Sequence, residues 1–161
     1  MKNYVLKCDK WYSASQSVYA NEQKVGAFYY GMFGTEYKIL LGENEYLVRK
    51  KNFFSDDLSI FVEDQLLAEV RNSAFKNRSL ITTREGKEYT LRSNTWSSRF
   101  TLTGVEGVLG ECVQKMNYSS LSFDERTDDS LIAAIIAEMH ITYESSILIA
   151  CLVPIFVAII A

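Results

Sequence analysis

Residues 46–129 can be set out as four units of similar length: YLVRKKNFFSDDLSIFVEDQ (46–65), LAEVRNSAFKNRSLITTREGK (67–87), YTLRSNTWSSRFTLTGVEGV (89–108) and GECVQKMNYSSLSFDERTDD (110–129). Each has an aromatic residue near its middle. Carried toward the N-terminus, the same spacing picks out Tyr12, Phe33, Phe54, Phe75, Trp96 and Tyr118, at intervals of 21, 21, 21, 21 and 22. Between them lies a second series of turn signals: Asn21-Glu22, Gly42-Glu43-Asn44, Glu63-Asp64, Glu85-Gly86-Lys87 and Glu106-Gly107. Two interleaved series of turns divide every repeat into two short segments.

The segments are rich in Val, Ile, Leu, Tyr, Phe and Thr, and several alternate with period two. Leu58, Ile60 and Val62 share a face, as do Tyr46 and Val48, Phe100 and Leu102, and Leu121 and Phe123. That alternation predicts strands. A helical solenoid needs longer apolar stripes at 3.6 spacing, and the charged turns leave no room for them. Short strands joined by short turns give an antiparallel meander of about twelve strands before residue 130. Leu131–Tyr143 is read as one or two strands more, with Ala137–Tyr143 the clearest.

The chain changes character at its end, where Ser145–Ala161 reads SSILIACLVPIFVAIIA and no charge follows Glu144. Ser145 or Ser146 suits a helix N-cap, and a helix apolar all round is buried in protein or in lipid. From Ile147 it rises about 22 Å, short of a hydrocarbon core of roughly 30 Å, and no basic residue flanks its far side. Pro154 bends or splits such a helix, which a packed core tolerates. Twelve strands that close on themselves enclose a lumen wide enough for a helix. The expected fold is therefore mainly β, a closed antiparallel barrel of about twelve strands around a buried hydrophobic C-terminal helix. One domain spans 1–161, with repeated hairpins over 1–144 and the central helix over 145–161.

Composition supports a real core: of 161 residues, 48% are hydrophobic and 23% charged, with a single proline. Disordered, fibrous and low-complexity classes are excluded. Cys8, Cys112 and Cys151 are odd in number and far apart, which argues against a disulfide framework or a zinc site. Met1–Lys10 has no apolar run of a signal peptide, so a reducing, cytoplasmic setting is expected, at most peripheral at a membrane.

Repeated strand pairs with an aromatic at the corner, followed by a short hydrophobic C-terminal helix, resemble the tubby-like barrel superfamily: the tubby C-terminal domain, the LURP-one-related proteins and the phospholipid scramblases. The resemblance covers essentially the whole chain and rests on the pattern of units and on SSILIACLVPIFVAIIA. It implies a twelve-stranded barrel around a central helix, and roles in phosphoinositide binding, membrane tethering or lipid movement. The family often places an acidic residue after the helix, which this chain lacks. No residue is carried over from the family.

Charge is distributed unevenly along the repeat. Windows of five residues either side of the six aromatic corners hold twelve of the seventeen basic residues and four of the twenty acidic ones. The corners thus carry +8 and the rest of the chain −11. In an up-and-down barrel the corners gather at one rim, so one end is predicted to be basic. Lys50, Lys51, Lys76, Arg78, Arg92 and Arg99, from three successive corners, are the densest group and the candidate lipid- or anion-binding residues. Lysines and arginines near an anionic membrane contribute about 1 kcal/mol each, and aromatics suit the headgroup level. The competing reading is that charged turns merely keep the barrel soluble, with the corner aromatics plugging its end.

Other chemistry has little material. His140 is the only histidine, so a triad or multi-histidine metal site is not expected and a structural role is. Asp124, Glu125, Asp128 and Asp129 lack EF-hand spacing and read as a solvated turn. Cys112 and Cys151 read as packing residues. Gly104 and Gly107 are turn residues with no helix following, so no phosphate-cradling loop is expected. No catalytic residue, metal or cofactor is expected, nor nucleic acid or a small-molecule substrate. The function expected is a non-enzymatic module that binds anionic membrane lipid, phosphoinositide-like, or a protein partner through the basic rim. The alternative is a scramblase-like protein with its C-terminal segment inserted in the bilayer. If the tail is core, deleting Ser145–Ala161 unfolds the domain; if it is an anchor, the remainder folds.

Overall fold

The structure, a computed structural model, describes residues 1–8, 15–30, 34–52, 54–73, 77–94, 98–115 and 118–160, with 145–160 described by their backbone alone. Twelve strands follow one another: β1 (Lys2–Cys8), β2 (Ser15–Ala20), β3 (Gln23–Tyr30), β4 (Glu36–Leu41), β5 (Asn44–Lys50), β6 (Leu58–Val62), β7 (Gln65–Ser73), β8 (Arg78–Thr83), β9 (Glu88–Ser93), β10 (Arg99–Gly104), β11 (Gly107–Gln114) and β12 (Tyr118–Phe123). One helix, α1 (Asp129–Ile160), completes the chain. Each strand pairs antiparallel with its sequence neighbours, and β1 closes on β12 with Tyr4 opposite Leu121. The result is a closed up-and-down barrel.

The two series of turns lie at opposite ends of it. Tight turns join β2–β3, β4–β5, β6–β7, β8–β9 and β10–β11 at one end, and the opposite end holds Phe54, in the β5–β6 connection, and Tyr118, the first residue of β12. At β2–β3 and β6–β7 the two turn residues both have positive φ: Asn21 at 49° with Glu22 at 65°, and Glu63 at 47° with Asp64 at 64°. Left-handed backbone at both positions is the type I′ geometry that matches strand twist.

Alternating residues point inward, including Phe28, Ile39, Val48, Ile60, Val70, Ile81, Phe100, Leu102, Leu121 and Phe123, all buried. Leu58, Ile60 and Val62 keep the expected common face, with Val62 half-buried and packed against the core near the tight-turn end. The β6–β7 register shifts because β7 carries an extra residue, Leu67, between the partners of Ile60 and Phe61, and this bulge reverses the inward-outward parity along β7. At Gly110 the backbone packs so closely that an added Cβ would lie 2.3 Å from Phe123 Cδ1 and 2.8 Å from Ser122 O.

The lumen holds a helix, but the segment inside it is not the one expected. Every residue of Leu131–Ile141 is buried, and exposure returns at Tyr143. Leu131–Tyr143, expected to supply further strands, is helical throughout, and Ala137–Tyr143 with it. A closed sheet explains this: β1 and β12 bond to each other, so a thirteenth strand has no edge to pair with and its backbone would be buried unsatisfied. Only a helix meets its own hydrogen bonds inside such a lumen. The lengths agree. A seven-residue strand such as β1, tilted as barrel strands are, spans about 18 Å of barrel axis, and eleven helical residues rise about 16 Å. The boundary expected between hairpins and helix at 144/145 is therefore corrected to 128/129, and the same helix runs on through residues 145–160.

Candidate functional site

The helix has a direction. Leu131 lies among the tight turns, near Tyr89 and Leu109, whereas His140 stacks on Tyr30 at 4.2 Å and meets Tyr37 at 5.8 Å between ring centroids, beside the β3–β4 corner. Glu138 is held from β7 and β8 on either side of another corner. Ser79 Oγ and Asn72 Nδ2 donate to its Oε1 at 2.5 and 2.6 Å, and its Oε2 has no hydrogen-bond partner. At 1% exposure, desolvation pushes this carboxyl up to about 8 despite the Ser79 hydrogen bond. His140 Nε2 lies 3.1 Å from Glu144 Oε1 without the alignment of a hydrogen bond. The helix thus leaves the lumen at the end opposite the tight turns, where Phe54 and Tyr118 lie.

At that end the strand register assembles part of the expected basic group. Arg78 on β8 sits directly opposite Arg92 on β9. Arg92 pairs with Thr101 on β10, which places Arg99 diagonally from it. All three are exposed and share the outward face with Arg71 of β7, which the sequence counts include only among the corner residues. Among the described residues none of the four has a carboxylate within ion-pair distance. Like charges opposite one another on a sheet are unfavourable, so the facing Arg78 and Arg92 charges do not stabilise the barrel.

The remaining candidates differ. Lys50 is only 13% exposed at its side chain and pairs with Asp56 at 3.6 Å. Lys51 is exposed in the β5–β6 connection, with its amide bonded to Asp57 O. Lys76 lies outside the described residues. Elsewhere on the barrel Lys38 pairs with Glu45 at 3.4 Å and Arg49 with Glu36 at 2.9 Å. Lys115 lies 5.3 Å from the Tyr118 ring. Of the corner aromatics, Phe54 is 93% exposed and Tyr118 partly so; Tyr12, Phe33, Phe75 and Trp96 lie outside the described residues. Phe54 is therefore not a plug of the barrel end.

Cys112 is buried on β11, which pushes its thiol up to about 12. Cys8 is exposed, with Gln16 Nε2 donating to its Sγ at 3.7 Å. The Cys151 side chain lies outside the described residues. The acidic run forms the β12–α1 connection, where Arg126 binds Asp124 and Glu106. Asp124 is held down at about 2 by its hydrogen bonds from Arg126. Among the described residues no group of three metal-ligating side chains occurs, and no helix is long and apolar enough to cross a membrane.

Together these features define a closed twelve-stranded β-barrel threaded by a helix, with an unpaired arginine patch at the end where the helix emerges. No protein-family model matches the chain, and neither a curated protein nor a solved structure does.

Proposed function

We propose that the protein is a non-enzymatic, tubby-like module that docks its basic end on an anionic membrane, with residues 145–161 entering the bilayer. One observation carries the reading. The buried run of α1 ends at Ile141, at the same end of the barrel as Arg71, Arg78, Arg92 and Arg99. The lumen is already filled, so the seventeen residues Ser145–Ala161, uncharged and strongly apolar, have no place in it. Such a segment calls for another apolar environment. Exposed Phe54 beside Lys51 matches the headgroup layer on the same side.

This combines the two expectations drawn from the sequence. The arginine patch supplies preference for anionic headgroups, phosphoinositides among them, and the tail supplies the hold. The experiment is flotation of the full chain with neutral and phosphoinositide-containing vesicles at low and high salt, compared with a chain ending at Glu144. Full-length protein is expected on both vesicle types and to resist salt. The shortened chain is expected only on the anionic ones, released by salt and lost in Arg78→Glu/Arg92→Glu. Full-length protein that leaves vesicles in salt, or anionic binding indifferent to the arginine reversals, overturns the corresponding half.

A further inference from the structure

The opposite end of the barrel is built differently. The tight turns, the N-terminus and the β12–α1 connection (residues 1–2, 21–24, 42–45, 63–65, 84–88, 105–107 and 124–129) hold twelve acidic and five basic residues. Two of those basic groups are occupied, Arg126 by Asp124 and Glu106 and Lys2 by Asp129. Glu22, Glu43, Glu63, Asp64, Glu85 and Glu88 have no basic partner within ion-pair distance among the described residues. A cavity of about 570 Å³ opens into this surface between the β8–β9 turn, the β10–β11 turn and the start of α1. Its apolar wall is formed by Tyr89, Val105, Leu109 and Leu131. Val105 is 99% exposed, and Val108 beside it is also exposed. Thr127, itself only 3% exposed, lines the cavity, and its Oγ1 has no hydrogen-bond partner. Buried hydroxyls are ordinarily satisfied, so three independent features coincide: excess acid, bare apolar side chains and an unmet polar group.

We infer that this end is a docking surface for a basic polypeptide segment of a partner protein, whose apolar side chain enters the cavity while its lysines or arginines meet the acidic turns. Charge complementarity selects a polypeptide. A twelve-stranded barrel is roughly 20–25 Å across, and the unpaired carboxylates are distributed over four of its five tight turns, from Glu22 to Glu88. The carboxylates that line the cavity itself are Glu88 and Glu106, beside Lys87 and Arg126, so a small cation there leaves the rest of the acidic rim unengaged. An extended chain of six residues spans about 20 Å and engages the whole rim. Such rim charges mainly set encounter and selectivity, and the filled pocket sets lifetime. The surface faces away from the arginine patch, and the inference holds whether or not that patch meets a membrane.

The test uses the full chain in neutral detergent and a fluorescent hexapeptide with four arginines around a central pair of leucines. Fluorescence anisotropy compares it with a version in which serines replace the leucines and one in which glutamates replace the arginines. The arginine–leucine peptide is expected to bind, the serine version at least about tenfold more weakly and the glutamate version not at all. Glu85→Lys/Glu88→Lys and, separately, Val105→Ser/Val108→Ser are each expected to weaken binding by about tenfold. All four side chains are exposed, so both variants are expected to fold. Equal binding of the serine peptide, or unchanged binding in both variants, overturns the inference. So does concentration-dependent self-association abolished by the same variants, which would make a second copy of this chain the occupant.

Discussion

Replacing Glu138 by glutamine should make the protein more stable at neutral pH. Its carboxyl is raised from 4.5 to about 8 by burial in the lumen, so the folded barrel keeps the proton that the unfolded chain gives up. A raised folded value contributes stability that is fully present below about pH 4.5 and lost progressively as pH rises to about 8. At pH 7 the gap is about 2.5 units, worth about 3 kcal/mol at 1.36 kcal/mol per unit. Glutamine preserves the acceptor used by Ser79 and Asn72 but adds an amide proton where Oε2 has no partner, costing about 1 kcal/mol. Glu138→Gln is thus expected to gain about 2 kcal/mol at pH 7 and nothing near pH 5. Urea unfolding of both full-length proteins in neutral detergent, followed by intrinsic fluorescence from pH 5 to 8.5, reads the difference. Stability curves that run parallel across that range would refute a neutral Glu138.

Other consequences of the geometry are as direct. A chain ending at Glu144 retains the whole buried run of α1 and is expected to unfold cooperatively, whereas one ending at Asp128 is expected to be unfolded; circular dichroism melts distinguish them. Gly110→Val forces a side chain against Phe123 and the Ser122 carbonyl and should cost about 2–3 kcal/mol in urea unfolding. Glu63→Asn with Asp64→Gly places the preferred pair in a turn already at positive φ and should raise stability by about 1 kcal/mol, seen as a higher Tm. Arg92→Glu turns the repulsive contact with Arg78 into an attractive one, gaining a few tenths to about 1 kcal/mol, while reducing binding to anionic vesicles. A mutation that stabilises the barrel and weakens binding separates the two roles of the patch.

The barrel is legible because its punctuation is regular. Six aromatics at a near-constant interval and five sets of turn residues between them fix strand number, direction and the assignment of turns to ends. The bulge at Leu67 is not, since Leu66, Leu67 and Ala68 are apolar in a row and hide the extra residue. Pattern alone starts the helix too late because Ala137–Tyr143 fits period two as well as helical spacing, and local pattern does not reveal that the sheet has no free edge. Burial on all sides is a tertiary fact, which Ala133, Ala134 and Ala137 hint at only through their small size. For the arginine patch, spacing along the chain identifies Arg78, Arg92 and Arg99, and register adds Arg71. Lys50 shows the limit of counting charges: Asp56 six residues on neutralises it, and its stem is buried. The unmet Thr127 hydroxyl and the cavity beside it have no sequence signal.

Closure of β1 on β12 around a threaded helix also dictates an order of assembly. The seam joins residues 2–7 to 118–123, so the first strand waits for the last before either acquires its second neighbour. Contacts this distant along the chain fold slowly. The helix that fills the lumen comes after the twelfth strand in the chain, so a seam that closed without it would enclose an apolar lumen with nothing to fill it. Until residues 129–141 are present, a nascent sheet exposes its apolar inner face, and assembly is completed when the sheet wraps the helix and seals in a single step.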